Sequence, residues 1–323
     1  VKPSAEEKGK DNRAVKLLTD AEGRIGMPWR VLLGWMSFVA GLGLAVAVAL
    51  TAAGYGFPTL AQQVMLAAVT SGVAVPLIYL LRRYADRRPW SGLGLTALPA
   101  GVPYALLGSG LLFAMTGAAL ALGSLLGWLR VTGLHLPAET LLVILVNVPI
   151  AFFYEAFPEE LAFRGYIYRN LNTRLPRWLA LVLQVVLFVL APVALLAILI
   201  AAGLGSWESL TAEYLLTLTF FGTALQLSRI LSGNLWMCIG YHLAWLETVR
   251  YIVVPGDGAI VEVEYLSTSG YLLIHIGTIV LSVIALLWWS LRGKKPPVDW
   301  KGTEPDEGEG SREIGNKEAQ KEA

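Results

Sequence analysis

Two adjacent carboxylates and an arginine one turn later, Glu159, Glu160 and Arg164, directly follow the apolar run 140–156. An acid in or beside a membrane-spanning helix costs roughly 2.5–3.5 kcal/mol on insertion scales, so it points to a function by default. Glu160 and Arg164 have the i,i+4 spacing at which opposite charges meet on one helix face. Glu159 lies about 100° further round, so it can face a cavity while Glu160 is held by the arginine. Glu155, one turn earlier, adds a third acid at greater depth. Pro158 between them removes a helix hydrogen bond and bends the helix at the acids. Carboxylates in a low-dielectric pocket can act as general bases on water. The competing reading is a helix end at the membrane interface whose acids meet only water. His242, taken by itself in an apolar run, reads equally as a packed core residue or as part of a site.

The elements that must position these groups are membrane helices. The 323 residues are 55% hydrophobic and 15% charged, with mean hydropathy +0.59. Repeated apolar runs of about 20 residues imply an all-α, polytopic transmembrane helical bundle. About eight spans are expected, near 31–53, 60–81, 102–126, 137–169, 178–202, 211–231, 235–254 and 271–291. The Gly, Ala and Ser content of the third suits close helix contact. Five segments follow: a charged cytosolic tail (1–28) without an apolar signal-peptide core and with a short helix near 14–18, spans one to three (29–136), a membrane core of spans four to seven (137–254), an outer loop with span eight (255–291), and a disordered cytosolic tail (292–323). Twenty-three of the 25 lysines and arginines fall on one side of this layout, and only Arg130 and Arg250 on the other. Both termini are therefore expected in the cytosol. The alternation Val261-Glu262-Val263-Glu264-Tyr265 in the outer loop hints at a strand.

Cys238 is the single cysteine, which excludes an intramolecular disulfide and a cysteine-ligated zinc cluster. His135 is expected as a solvated loop residue, and His275 in span eight as a remote candidate for the site. Asn147, Gln184, Gln226 and Ser228 are read as hydrogen-bonding partners between helices.

Glu159-Glu160-Leu161-Ala162-Phe163-Arg164-Gly165 resembles the EExxxR signature of the CPBP family, the CAAX-processing and bacteriocin-associated intramembrane endopeptidases. Gly233-Asn234-Leu235-Trp236-Met237-Cys238-Ile239-Gly240-Tyr241-His242 is similar to that family's approach to a late catalytic histidine. The resemblance covers about residues 138–250. It implies a cavity open to the cytosol, Glu159 as base, Glu160 and Arg164 as a supporting ion pair, and His242 as oxyanion-hole donor or ligand. If a divalent metal such as zinc is bound, Glu159 and His242 would hold it.

The pattern is incomplete at two positions. Pro192 stands where the family has a water-activating histidine, and Leu246 where it has an asparagine. Phe221-Gly222-Thr223-Ala224-Leu225 repeats the first of these frames, again without histidine. The resemblance implies cleavage of a membrane-embedded or lipidated peptide or protein, with the lipid bilayer as surroundings and no nucleic-acid partner. The alternative is a catalytically degenerate protein that binds a peptide or membrane-protein partner without cutting it. A small-solute transporter would show internal symmetry or paired broken helices, which the sequence lacks. The location expected is a multi-pass position in a prokaryotic plasma membrane.

Overall fold

The structure, a computed structural model, describes residues 19–20, 23–255, 259–292 and 297–304. Its helices are α1 (Met27–Gly54), α2 (Thr59–Ala85), α3 (Trp90–Leu125), α4 (Ala138–Asn172), α5 (Arg177–Ala201), α6 (Ala212–Ser232), α7 (Leu235–Glu247) and α8 (Thr268–Arg292). All but α7 are long and apolar enough to cross a membrane. α7 is shorter but runs on through a wide turn, Thr248–Ile252, and most of it is buried among the others. The chain is thus an integral, multi-pass all-α protein, with about the number of spans expected. The short helix expected near 14–18 lies outside the described residues.

Local signals set the helix ends. Pro28 stands in the first turn of α1, where its missing N–H costs nothing. Thr211, Asn234 and Ser267 each cap a helix by accepting a backbone N–H, from Tyr214, Trp236 and Gly270. Gly233, at φ +70°, ends α6 in the left-handed conformation that glycine adopts freely. Outward-facing leucines such as Leu106, Leu125 and Leu145 are widely exposed. That is the normal face of a helix whose solvent is lipid. The expected close contact of the third span is made between α3 and α7. A Cβ at Gly108 would collide with the Met237 carbonyl, and one at Gly240 with the Ala105 carbonyl. Ser109 Oγ donates to Gly240 O across the same contact at 2.9 Å. Small residues allow this backbone approach, which supplies the packing that hydrophobicity cannot supply in lipid.

The two ends of the bundle differ. At one end the basic segments converge on a buried network: Asp86 is held by Arg82 (3.1 Å), Arg30 (3.7 Å) and Tyr166 Oη (2.8 Å). Arg229 donates to Leu93 O at the same end. At the other end a three-stranded sheet, in the order β1 (Leu129–Leu134), β3 (Val261–Tyr265), β2 (Val253–Val254), joins α3, α7 and α8. β1 pairs antiparallel with β3, and β2 parallel with it. The strand hinted at by the Val-Glu alternation is β3.

The expectation of disorder throughout 292–323 needs correction for residues 297–304. Trp300 O and Gly302 O accept the N–H groups of Trp178 and Arg177, which begin α5, and Glu304 N donates to Asn172 O. Val298 and Trp300 pack on the main core. Composition alone missed this because two apolar side chains and the unpaired N–H groups of a helix start suffice to anchor a short polar segment. Residues 293–296 and 305–323 lie outside the described residues.

Candidate active site

α4 carries the acids and is not a uniform helix. Wide π-type turns at Phe152–Ala156 and Leu161–Ile167 flank the short α-helical piece Phe157–Glu160. Such wide turns release backbone groups and rotate the following residues, and they recur at functional sites. Pro158 lies inside α4 just after the wide turn Phe152–Ala156, so the hydrogen bond its missing N–H forfeits falls where the regular ladder is already interrupted.

Glu159 and Glu160 diverge as their spacing requires. Glu160 is wholly buried, with Oε1 at 3.2 Å from Arg164 Nη1 and 2.9 Å from His242 Nδ1. Arg164 is also fully buried, donates to Gly222 O at 3.4 Å, and lies 4.2 Å above the Phe188 ring. Glu159 makes no hydrogen bond or ion pair among the described residues and lines a cavity of about 490 Å³. His242 lines it too, with its ring edge-on to Phe221 at 4.9 Å. Because an ionised carboxylate can only accept, His242 Nδ1 donates to Glu160, which leaves Nε2 for the cavity. The sequence had assigned Glu160 to Arg164 alone; its second role, orienting His242, joins residues 82 positions apart.

Pro192 and Leu246, the two positions that depart from the expected pattern, both line the cavity with Glu159 and His242. They present apolar surface where a base and a donor were expected. Glu247, beside Leu246, instead accepts from Asn147 Nδ2 at 2.7 Å. Asn147 is thus an interhelical partner as expected, while Ser228 bonds within its own helix, to Ala224 O. Gln184 and Gln226 differ from expectation: both are fully buried and neither amide finds a hydrogen-bond partner among the described residues. Phe221 lines the cavity, whereas Leu225 is buried in the core. His275 accompanies Tyr271 and Tyr265 beside the sheet and does not reach the site. His135 is largely exposed, 3.7 Å from Glu262.

Sequence reasoning missed several lining residues, among them Tyr154, Tyr214, Arg250 and Trp245. Tyr154 and Tyr214 bring phenols to the cavity, and Arg250 bonds Glu155 at 2.7 Å on its wall. Trp245 supplies apolar surface. Tyr154 precedes Glu159 by five residues, a spacing that a regular helix turns to a different face, so the wide turn Phe152–Ala156 is what brings it to the cavity; Tyr214 and Arg250 come from other helices and left no local signal.

The residues do not fit a catalytic zinc. Such ions take three protein ligands and keep one position for water. No group of three or more metal-ligating acids, histidines or cysteines occurs among the described residues. Glu160 and Glu155 are committed to Arg164 and Arg250, which leaves Glu159 and His242 alone.

No curated protein and no solved structure matches the chain. Residues 138–246, from the start of α4 to the cavity wall at Leu246, match the family of type II CAAX prenyl endopeptidases described as Rce1-like, so this multi-pass membrane protein carries an Rce1-like region in the part of the chain that bears Glu159, Glu160, Arg164 and His242.

Proposed function

We propose that the protein is an intramembrane peptidase of slow turnover that takes an extended, membrane-held peptide into the cavity between α4 and α7. The observation that carries this reading is the pairing of an unengaged Glu159 with a His242 held in orientation by Glu160. Glu159 accepts a proton from a water molecule, whose oxygen attacks the scissile carbonyl carbon. The carbonyl oxygen becomes an oxyanion, which His242 stabilises by donating from Nε2–H while Nδ1 stays bonded to Glu160. The C–N bond then breaks, and the proton held by Glu159 passes to the leaving amine. General acid–base help of this kind contributes about 10²–10⁴ in rate, and one oxyanion donor about 10²–10³.

Pro192 and Leu246 set the limit on rate. Neither offers a side-chain group to hold the water or the oxyanion, so the Glu159–His242 pair works without the partners that the family pattern supplies. The same apolar walls favour a second reading, a peptide binder that does not cut. Purified protein is incubated with a library of membrane peptides and the products are read by mass spectrometry. Slow cleavage abolished by Glu159→Gln, and raised by Pro192→His with Leu246→Asn, is the expected result. If neither form yields product while both bind peptide, the second reading replaces the first.

A further inference from the structure

We infer that peptide reaches Glu159 from the membrane face opposite the basic loops, so that the occupant of the cavity is an extended extracytosolic segment and not a cytosolic lipidated C-terminus. The inference rests on the peptide-binding reading above and narrows its substrate class. The cavity has a closed end and an open end. Phe188, Phe221 and His242 at its floor are buried, whereas Tyr214 is 40% exposed and the Arg250 side chain 35% exposed. Beyond the floor, every residue from 160 to 172 is buried. Leu225, Leu227, Leu235, Cys238 and Tyr241 fill the space beside them, each no more than 1% exposed. A peptide coming from that end would have to pass Arg164 and its ion pair.

The open end belongs to the sheet. Tyr214 stands in the first turn of α6, and Arg250 in the wide turn that leads α7 directly into β2. β2 is an edge strand of the sheet among the described residues. The closed end is the one where Arg30, Arg82, Arg169 and Arg229 gather, close to the starts or ends of their helices. Loops rich in arginine and lysine remain in the cytosol. These four arginines and the cavity mouth therefore lie on opposite faces, and access from the cytosol, which the family resemblance had implied, does not follow from this geometry.

Single-cysteine variants in full-length protein test the inference without any cleavage step. Native Cys238 is buried and is replaced by serine. Tyr84→Cys marks the basic face (70% exposed) and Leu134→Cys the sheet face (74% exposed); Tyr214→Cys and Thr217→Cys report the cavity. Intact cells are treated with a membrane-impermeant maleimide, and folding of each variant is checked by gel filtration in detergent. Thr217→Cys and Leu134→Cys should label at least about tenfold faster than Tyr84→Cys until the membrane is opened. Labelling of the cavity cysteines only together with Tyr84→Cys, or of Tyr84→Cys from outside, overturns the inference, and so does a cavity that never labels. Absence of cleavage with outside labelling would count against the peptidase reading alone.

Discussion

Removal of Arg164 is the sharpest test of how the site is held. Its guanidinium is fully buried, and its contacts include Glu160 Oε1 at 3.2 Å, Gly222 O at 3.4 Å, and the Phe188 ring at 4.2 Å. In Arg164→Ala the Glu160 carboxylate keeps, among the described residues, only His242 Nδ1 as partner, and its Oε2 has none there. Breaking a buried pair from one side costs about 3–5 kcal/mol, because a charge remains without compensation. A desolvated cation–π contact adds up to about 2 kcal/mol. A loss of 3 kcal/mol alone lowers the folded-to-unfolded ratio more than about 100-fold. Glu160→Gln with Arg164→Met removes both charges, keeps an amide oxygen to accept from His242, and refills the space beside Phe188. It should therefore lose clearly less than Arg164→Ala, as neutral replacements of buried pairs do. Thermal unfolding in detergent, followed by tryptophan fluorescence, measures both variants beside each single change. A double variant as unstable as Arg164→Ala, or an Arg164→Ala loss below about 1 kcal/mol, refutes the pairing argument.

Three further outcomes are expected. Gly240→Ala drives a methyl group into the Ala105 carbonyl of α3 and should cost about 1–3 kcal/mol as overpacking, read as a lower melting temperature; an unchanged melting temperature contradicts the close α3–α7 contact. Truncation after Arg292 strips the acceptors of Arg177 N and Trp178 N together with the Trp300 packing. It should speed proteolysis in the 173–176 turn, whereas equal rates would mean that residues 297–304 contribute no protection. Burial tends to raise the Asp20 carboxyl, but the Arg24 amide and the charges of Arg24 and Arg30 outweigh it and hold the group below its ordinary 3.8. A lowered carboxyl stabilises the fold above pH 3.8 and loses that contribution as pH falls through the lower folded value. Carbon-detected NMR titration should give an Asp20 midpoint below 3.8 that rises in Arg24→Ala; a midpoint at or above 3.8 removes the argument.

The sequence by itself determined what depends on helix geometry and solvent. Apolar runs of bilayer length marked the spans, and the lopsided lysines and arginines marked the segments that converge at one end, because both follow from transfer of residues into lipid. The i,i+4 spacing of Glu160 and Arg164 was sufficient to pair them, and the 100° step was sufficient to turn Glu159 away, since one helix sets both relations. Only the tertiary structure decided which groups from different helices meet. The contact of Glu160 with His242, the presence of Pro192 and Leu246 on the cavity wall, and the Glu155–Arg250 pair at its rim depend on helix rotations. Those rotations are set by wide turns in α4 and by the glycine contact of α3 with α7, neither of which leaves a periodic trace in the chain. The amides of Gln184 and Gln226, without a partner among the described residues, carry the same lesson. A polar residue in a membrane helix reveals that a partner is wanted, but the packing of its neighbours decides whether one comes within reach.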